Sequence, residues 1–259
     1  MIFLKSSIVY YKFTSANSVV YNRYWVLYRG RDGLEERAVI QEPRKARKSN
    51  RELVEYVNSS FSINARPRSS YVIDAMRVVD RKDFLPPDAK QLAYYDEPVG
   101  IGYGQTCSQP SLVALMLDEL SVRSGDRILE IGSGCGYAAA IASFLCGPEG
   151  RVYACEIVPE LAAFMRVNLG RRFPVIEIIE GDGSSGFTQL APFDRILLSA
   201  GVDSSSFDRD ILLSQLAVPG IMIYPEACGR LYKLIKTGEG IEERSYGYVS
   251  FVPLRGRNA

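Results

Sequence analysis

Gly132, Gly134 and Gly136 alternate directly behind the apolar run Arg127–Ile131, and an alanine-rich segment opens at Tyr137. A strand that runs into spaced glycines and then a helix is a cradle for a nucleotide-like cofactor, because glycine lets the backbone turn sharply and approach a ligand closely. Three acids share one side of this pattern. Glu130 directly precedes the loop, Glu156 closes the next apolar run, and Asp182 sits in Gly181-Asp182-Gly183 after the third. Upstream, Gln105-Thr106-Cys107-Ser108-Gln109-Pro110 leads into a helical pattern. Ser108 there is expected to cap that helix and to present a hydroxyl and backbone N–H groups to an anion.

The acids narrow the ligand. Glu156 lies about 20 residues beyond the glycines, where a carboxylate accepts from a ribose diol. The spacing Gly134-x-Gly136-x-x-Ala139 also fits a dinucleotide. Glu130 opposes that reading, since a carboxylate repels a pyrophosphate and attracts a cation. S-adenosylmethionine carries a sulfonium and an ammonium and no phosphate, and Asp182 suits its adenine amino group. The chain has no histidine. That excludes a histidine-activated nucleophile, a histidine zinc site and a histidine general base. A reaction with an already ionised nucleophile fits this restriction. Cys107, lacking a histidine partner, is read as a small buried side chain. The five cysteines are odd in number and form no C-x-x-C or metal spacing, so reduced thiols in a cytoplasm are expected.

The elements that must position these residues follow from pattern. With 47% hydrophobic and 24% charged residues and a net charge of +1, the chain reads as globular, with no field favouring nucleic acid or membrane. Residues 1–50 are expected to be an extension and 51–259 the main domain. In the extension, Ser18 to Tyr28 followed by Arg31-Asp32-Gly33 suggests a hairpin, and the basic run Arg44 to Arg51 a solvated linker. Leu53, Val54 and Val57 mark one helix, and Val72, Ile73, Met76 and Val79 another. Leu112, Leu115, Met116 and Leu120 form the apolar face of the helix after Ser108. Strands are expected at 127–131, 151–156, 175–179 and 194–199, with helices at 137–146, 159–171 and 206–216. Further strands near 221–224, 230–236 and 244–252 lack intervening helices. The prediction is an α/β fold: a mainly parallel sheet, helices on both faces, an antiparallel edge, and a ligand at the C-terminal rim.

The chain resembles the protein-L-isoaspartate (D-aspartate) O-methyltransferases. The resemblance is carried by Ala75-Met76-x-x-Val79-x-Arg81-x-x-Phe84, Ala93-Tyr94-Tyr95-Asp96-x-Pro98, Gly102-Tyr103-Gly104-Gln105-Thr106-Cys107-Ser108-Gln109-Pro110, the segment Leu129 to Tyr137, Gly181-Asp182-Gly183-Ser184, Ala191-Pro192-Phe193-Asp194 and Phe251-Val252-Pro253-Leu254. It implies a Rossmann-like S-adenosylmethionine-dependent methyltransferase fold. It implies methyl transfer to the free α-carboxylate of L-isoaspartyl, and also D-aspartyl, residues in damaged proteins, after which the ester collapses to a succinimide. By the same resemblance Ser108 orients the carboxylate. Gln105, Thr106, Cys107, Glu130, Gly132, Ser133, Gly134, Gly136, Glu156, Ile157, Asp182 and Gly183 hold the cofactor. Asp96, Ser199, Ala200 and Gly201 flank the peptide. A monomer is expected, with isoaspartyl proteins as partners and neither metal nor nucleic acid. The chemistry agrees, since an α-carboxyl of pKa roughly 3.5 is already an anion and needs no base. Two departures stand out. Cys135 replaces a serine or similar residue. Val218-Pro219-Gly220-Ile221 and Pro225-Glu226-Ala227 depart from the family's P-G-G-R-L and P-V-G, which is expected to alter a lid over the cofactor. The alternatives are a methyltransferase of this fold with another substrate, such as an RNA or a small molecule, and a binding protein derived from one.

Overall fold

The computed structural model describes residues 47–61 and 70–259, with side chains over 47–59 and 70–259, and the backbone of three strands before them. These are β1 (Ser6–Val9), β2 (Tyr24–Gly30) and β3 (Gly33–Val39), joined antiparallel in the order β1-β2-β3. Gly30 pairs with Gly33, so β2 and β3 form the expected hairpin. Its expected beginning at 18–23 and its turn residues 31–32 lie outside the described residues, as do 44–46 of the basic run. In the rest of that run, residues 47–49 are irregular and a helix follows. Helix α1 (Asn50–Phe61) begins inside it. The Arg47 guanidinium lies 3.4 Å from the centre of the Tyr56 ring, and Ser49 Oγ accepts from Glu52 N.

Helices α2 (Ser70–Val78) and α3 (Pro110–Leu120) follow, with a short antiparallel pair, β4 (Val99–Gly102) and β5 (Gln105–Cys107), between them. The main sheet then builds from β6 (Arg127–Ile131), β7 (Arg151–Glu156), β8 (Ile176–Glu180), β9 (Phe193–Leu198), β10 (Leu216–Pro225), β11 (Cys228–Thr237) and β12 (Gly240–Ser250). Its order is β12-β11-β10-β9-β6-β7-β8. Helices α4 (Tyr137–Cys146), α5 (Pro159–Leu169) and α6 (Arg209–Gln215) connect the parallel strands. The strands from β10 to β8 are parallel, and β11 and β12 close one edge antiparallel.

Strand alternation divides the core. Ile128, Val152 and Ala154 face one layer with α1 to α5, where Leu53, Val54, Met76, Val113, Leu117 and Met165 are buried. Leu129, Ile131 and Tyr153 face the other layer, closed by Leu212 and Leu213 of α6. Each such side chain contributes roughly 1.5–3 kcal/mol on burial. Among the described residues, helices therefore cover both faces, five on one and one on the other. The α3 face is rotated from expectation. Val113, Ala114, Met116, Leu117 and Leu120 are buried, whereas Leu112 and Leu115 are only partly so.

The chain leaves β6 towards β7 and leaves β9 towards β10 on the opposite side. The ligand crevice of such a sheet opens at this switch point. The departing residues Val218 to Ile221 lie at the other end of β10, where the register breaks between Leu216 and Ile221. They form no lid. Among the described residues no helix is long and apolar enough to cross a membrane.

Candidate active site

Glu130 ends up at the switch point because it is the penultimate residue of β6. It is 1% exposed. Ser199, just after β9, donates its hydroxyl to Glu130 Oε1 at 2.7 Å, while Oε2 has no partner among the described residues. Burial is the main influence on this carboxyl and pushes it up to about 7, against the hydrogen bond from Ser199. An orphaned, buried acceptor of this kind is suited to a cation.

The glycine loop brings the chain close to that acid. Gly132 has φ +80°, and a Cβ there would stand 3.1 Å from Ala200 Cβ. Gly134 donates its N–H to Glu156 Oε2 at 2.8 Å, and Glu156 Oε1 accepts from Val158 N at 2.9 Å. Glu156 therefore holds the loop in shape and keeps lone pairs for a ligand. Gly136 plays a different part from the one expected of it. A Cβ there would meet Met165 Cγ at 2.9 Å, so Gly136 packs α4 against α5 and lines neither cleft.

Two adjoining clefts open here and share Thr106, Gly132 and Ser199 as walls. The first brings Cys107, Ser108, Glu130, Ser133 and Cys135 together over Met116, Leu117 and Phe251. The second is lined by Gln105, Gly134, Glu156, Ile157, Gly183 and Ala200, with Val252 to Arg255 along its rim.

Ser108 is not the cap of α3. Pro110 occupies the first helical turn and the cap position falls on Gln109, which makes no side-chain capping bond. Proline at this position lacks an N–H and sets the helical φ, so the helix starts beyond reach of Ser108. Asp96 takes over the capping. Its Oδ1 accepts from Ser111 N at 2.8 Å and its Oδ2 from Gln109 Nε2 at 3.1 Å. Asp96 thus holds the start of α3 and lies outside both clefts. The Ser108 hydroxyl is left without a hydrogen bond among the described residues and lines the first cleft. Beside it, the neighbouring Cys135 and the Arg81 charge hold the Cys107 thiol below its ordinary range, and Cys107 and burial hold the Cys135 thiol above its own.

Two other residues expected at the site also hold the chain itself. Asp182 Oδ1 accepts from Ser184 N, and Oδ2 from Arg257 N at 2.9 Å. Burial pushes this carboxyl up, and the hydrogen bonds from Ser184 and Arg257 outweigh it and hold the group below its ordinary value. Gly201 anchors the C-terminal tail. It donates its N–H to Val252 O at 2.8 Å and accepts from Leu254 N at 2.7 Å, with Ala227 packed where a Cβ would go. The tail is the part of the site that sequence reading left unassigned. Phe251 to Leu254 were legible as a motif but carried no polar side chain to mark them as a wall.

The family comparison fits this geometry. The family model described as protein-L-isoaspartate (D-aspartate) O-methyltransferase matches residues 48–259. The chain belongs to this family. It is 43% identical over 188 residues to the protein-L-isoaspartate O-methyltransferase of Ignicoccus hospitalis, covering 71% of this chain and 88% of that one. It is 40% identical over 218 residues to that of Methanopyrus kandleri, covering 81% and 92%. A solved protein-L-isoaspartate O-methyltransferase from Plasmodium falciparum, in complex with S-adenosyl-L-homocysteine, superposes with a TM-score of 0.70 at 26% identity, covering 81% of this chain and 99% of that one. As a member of the protein-L-isoaspartate O-methyltransferases, the chain is an S-adenosylmethionine-dependent repair enzyme acting on isoaspartyl proteins. The residues present fit that cofactor: an unpartnered buried carboxylate for a cation and a second carboxylate beside a glycine loop.

Proposed function

We propose that the first cleft is where the substrate carboxylate meets the methyl donor, with Ser108 on one side and Glu130 on the other, and that the second cleft takes the adenosine end. The observation that carries this reading is the free Ser108 hydroxyl lining the same cleft as the orphaned Glu130 oxygen. When bound, S-adenosylmethionine supplies an electrophilic methyl group. Glu130 holds the ligand's ammonium, and Ser199 orients Glu130 through their hydrogen bond. Gly132 and Gly134 admit the ligand, Glu156 accepts from its ribose, and Gln105, Thr106, Ile157 and Gly183 wall the adenosine. Ser108 donates to the substrate's α-carboxylate and turns one oxygen towards the methyl group. No residue has to remove a proton, because the carboxylate is ionised well below neutrality. Catalysis is then alignment, which in well-oriented systems supplies roughly 7–11 kcal/mol of barrier lowering. Ala200 and Gly201 serve by anchoring the tail that closes the second cleft. We read the enzyme as a cytoplasmic monomer, and its unpaired cysteines are in keeping with a reducing compartment.

The test is methyl transfer from labelled S-adenosylmethionine to an isoaspartyl peptide, with the aspartyl peptide as control, for wild type and Ser108→Ala. Base-labile label in the isoaspartyl peptide alone is expected. Ser108→Ala should lower turnover about 100-fold, as loss of one such donor does, with S-adenosylhomocysteine affinity unchanged. Wild-type turnover in Ser108→Ala would reduce Ser108 to a wall of the cleft.

A further inference from the structure

Arg81 follows α2 and is completely buried. Its guanidinium donates to five carbonyls. Nη1 reaches Ala93 O at 3.1 Å and Tyr95 O at 2.9 Å, and Nη2 reaches Glu97 O at 2.8 Å, Cys107 O at 3.2 Å and Ser108 O at 3.1 Å. Among the described residues it pairs with no carboxylate. The nearby acids are committed elsewhere: Asp80 accepts from Lys82 N and the Tyr94 hydroxyl, and Asp96 caps α3.

Five carbonyls from two separate loops converge on one side chain, and two of them belong to the residues that form the substrate wall. With no capping bond on Ser108, its place depends on its backbone, and Arg81 ties the Cys107 and Ser108 carbonyls to residues 93–97, beside the hold of Asp96 on Gln109 and Ser111. A buried cation without a counter-ion is costly, and neutral amides could tie loops together without that cost. The retained charge leaves net positive potential behind Cys107 and Ser108, and it acts on the Cys107 thiol in the cleft. Glu130 supplies the opposite sign across the same cleft.

We propose that Arg81 is a positioning residue for the substrate side: it sets the Cys107–Ser108 turn and provides the positive field that receives the isoaspartyl α-carboxylate. This rests on the reading that Ser108 meets the carboxylate. Arg81 does not touch the substrate. It acts through the two carbonyls it holds and through its charge, so its loss should fall on the peptide and spare the cofactor.

The experiment compares Arg81→Lys, Arg81→Gln and Ser108→Ala with wild type, measuring kcat and KM for an isoaspartyl peptide and the Kd of S-adenosylhomocysteine. Lysine keeps the charge with three donors, and glutamine loses the charge. Both Arg81 variants should bind S-adenosylhomocysteine within about threefold of wild type. Arg81→Gln should raise the peptide KM about thirtyfold, and Arg81→Lys should recover most of that KM while kcat stays about tenfold low, magnitudes of charged hydrogen bonds lost. A peptide KM and cofactor Kd that worsen in step in Arg81→Lys would overturn the proposal and leave Arg81 as scaffold. So would wild-type kcat in Arg81→Lys, or equal peptide KM in both Arg81 variants. If Arg81→Gln does not fold, the kcat and KM of Arg81→Lys against its Kd decide alone. Wild-type turnover in Ser108→Ala would instead refute the reading of Ser108, so the two failures are distinguishable.

Discussion

The two sides of the first cleft are built in different ways. On the cofactor side, Glu130, Glu156 and the glycine loop sit at ends of paired strands, and the sheet ladder itself fixes their spacing. On the side we propose for the substrate, Ser108 stands on a turn between β5 and α3, held by a guanidinium and by a remote carboxylate. A sheet rim tolerates the loss of one side chain because backbone pairing remains. A turn held by a few long-range hydrogen bonds does not. The cofactor side should therefore fail through affinity and the substrate side through alignment.

The sharpest way to break this contrast is Glu130→Gln. It keeps the shape and removes the charge, so S-adenosylhomocysteine affinity should fall about 100-fold, the range of a charged hydrogen bond. The peptide KM at saturating cofactor should barely move. Isothermal titration and steady-state kinetics check both numbers, and a large peptide effect would merge the two sides.

The same carboxyl gives a pH signature. Its value of about 7 lies above the ordinary 4.5, so the folded protein takes up a proton between those values. Stability from this group is therefore full below pH 4.5 and is lost as the pH rises through 7. The ligand's ammonium favours the ionised form. The thermal shift produced by S-adenosylhomocysteine should thus be larger at pH 8 than at pH 6, with affinity differing about tenfold. A pH-independent shift would show that Glu130 does not face the ammonium. Asp182, held below its ordinary value, contributes with the opposite sign, and its part is lost as the pH falls.

A smaller effect is expected at Gly132→Ala. The φ of +80° and the 3.1 Å approach to Ala200 add roughly 1–2 kcal/mol of strain, enough to weaken the cofactor about tenfold. The smallest is Asp96→Ala, which removes the cap of α3 and costs about 1 kcal/mol of stability by denaturation. Its kinetic effect should be confined to the peptide. A loss of cofactor affinity there would show that the two sides share one support.

Much of the cofactor side was legible in the chain, and less of the substrate side. The run 127–131, the glycine loop, the helix 137–146 and the strand 151–156 were read with the bounds they have. Glu130 and Glu156 came with them, because a residue at a strand's end has its place set by counting. Ser108 was recognisable by type and motif but not by its hydrogen bonding, and Arg81 stood in a motif without a role. Of the two departures expected to alter a lid, 218–221 lies at the far end of β10 and 225–227 at the rim end, because the parallel pairing of β9 and β10 decides which end meets the rim.

By itself, the amino-acid order determined the elements, the acids at their ends and the lack of any histidine base, since backbone torsions and apolar period are set by near neighbours. Only the tertiary structure decided that Asp96 and not Ser108 caps α3, that Arg81 gathers five carbonyls, and that the tail closes over Asp182. A donor or acceptor has several partners within reach of its chemistry, and which one it takes is settled by residues brought close from far along the chain.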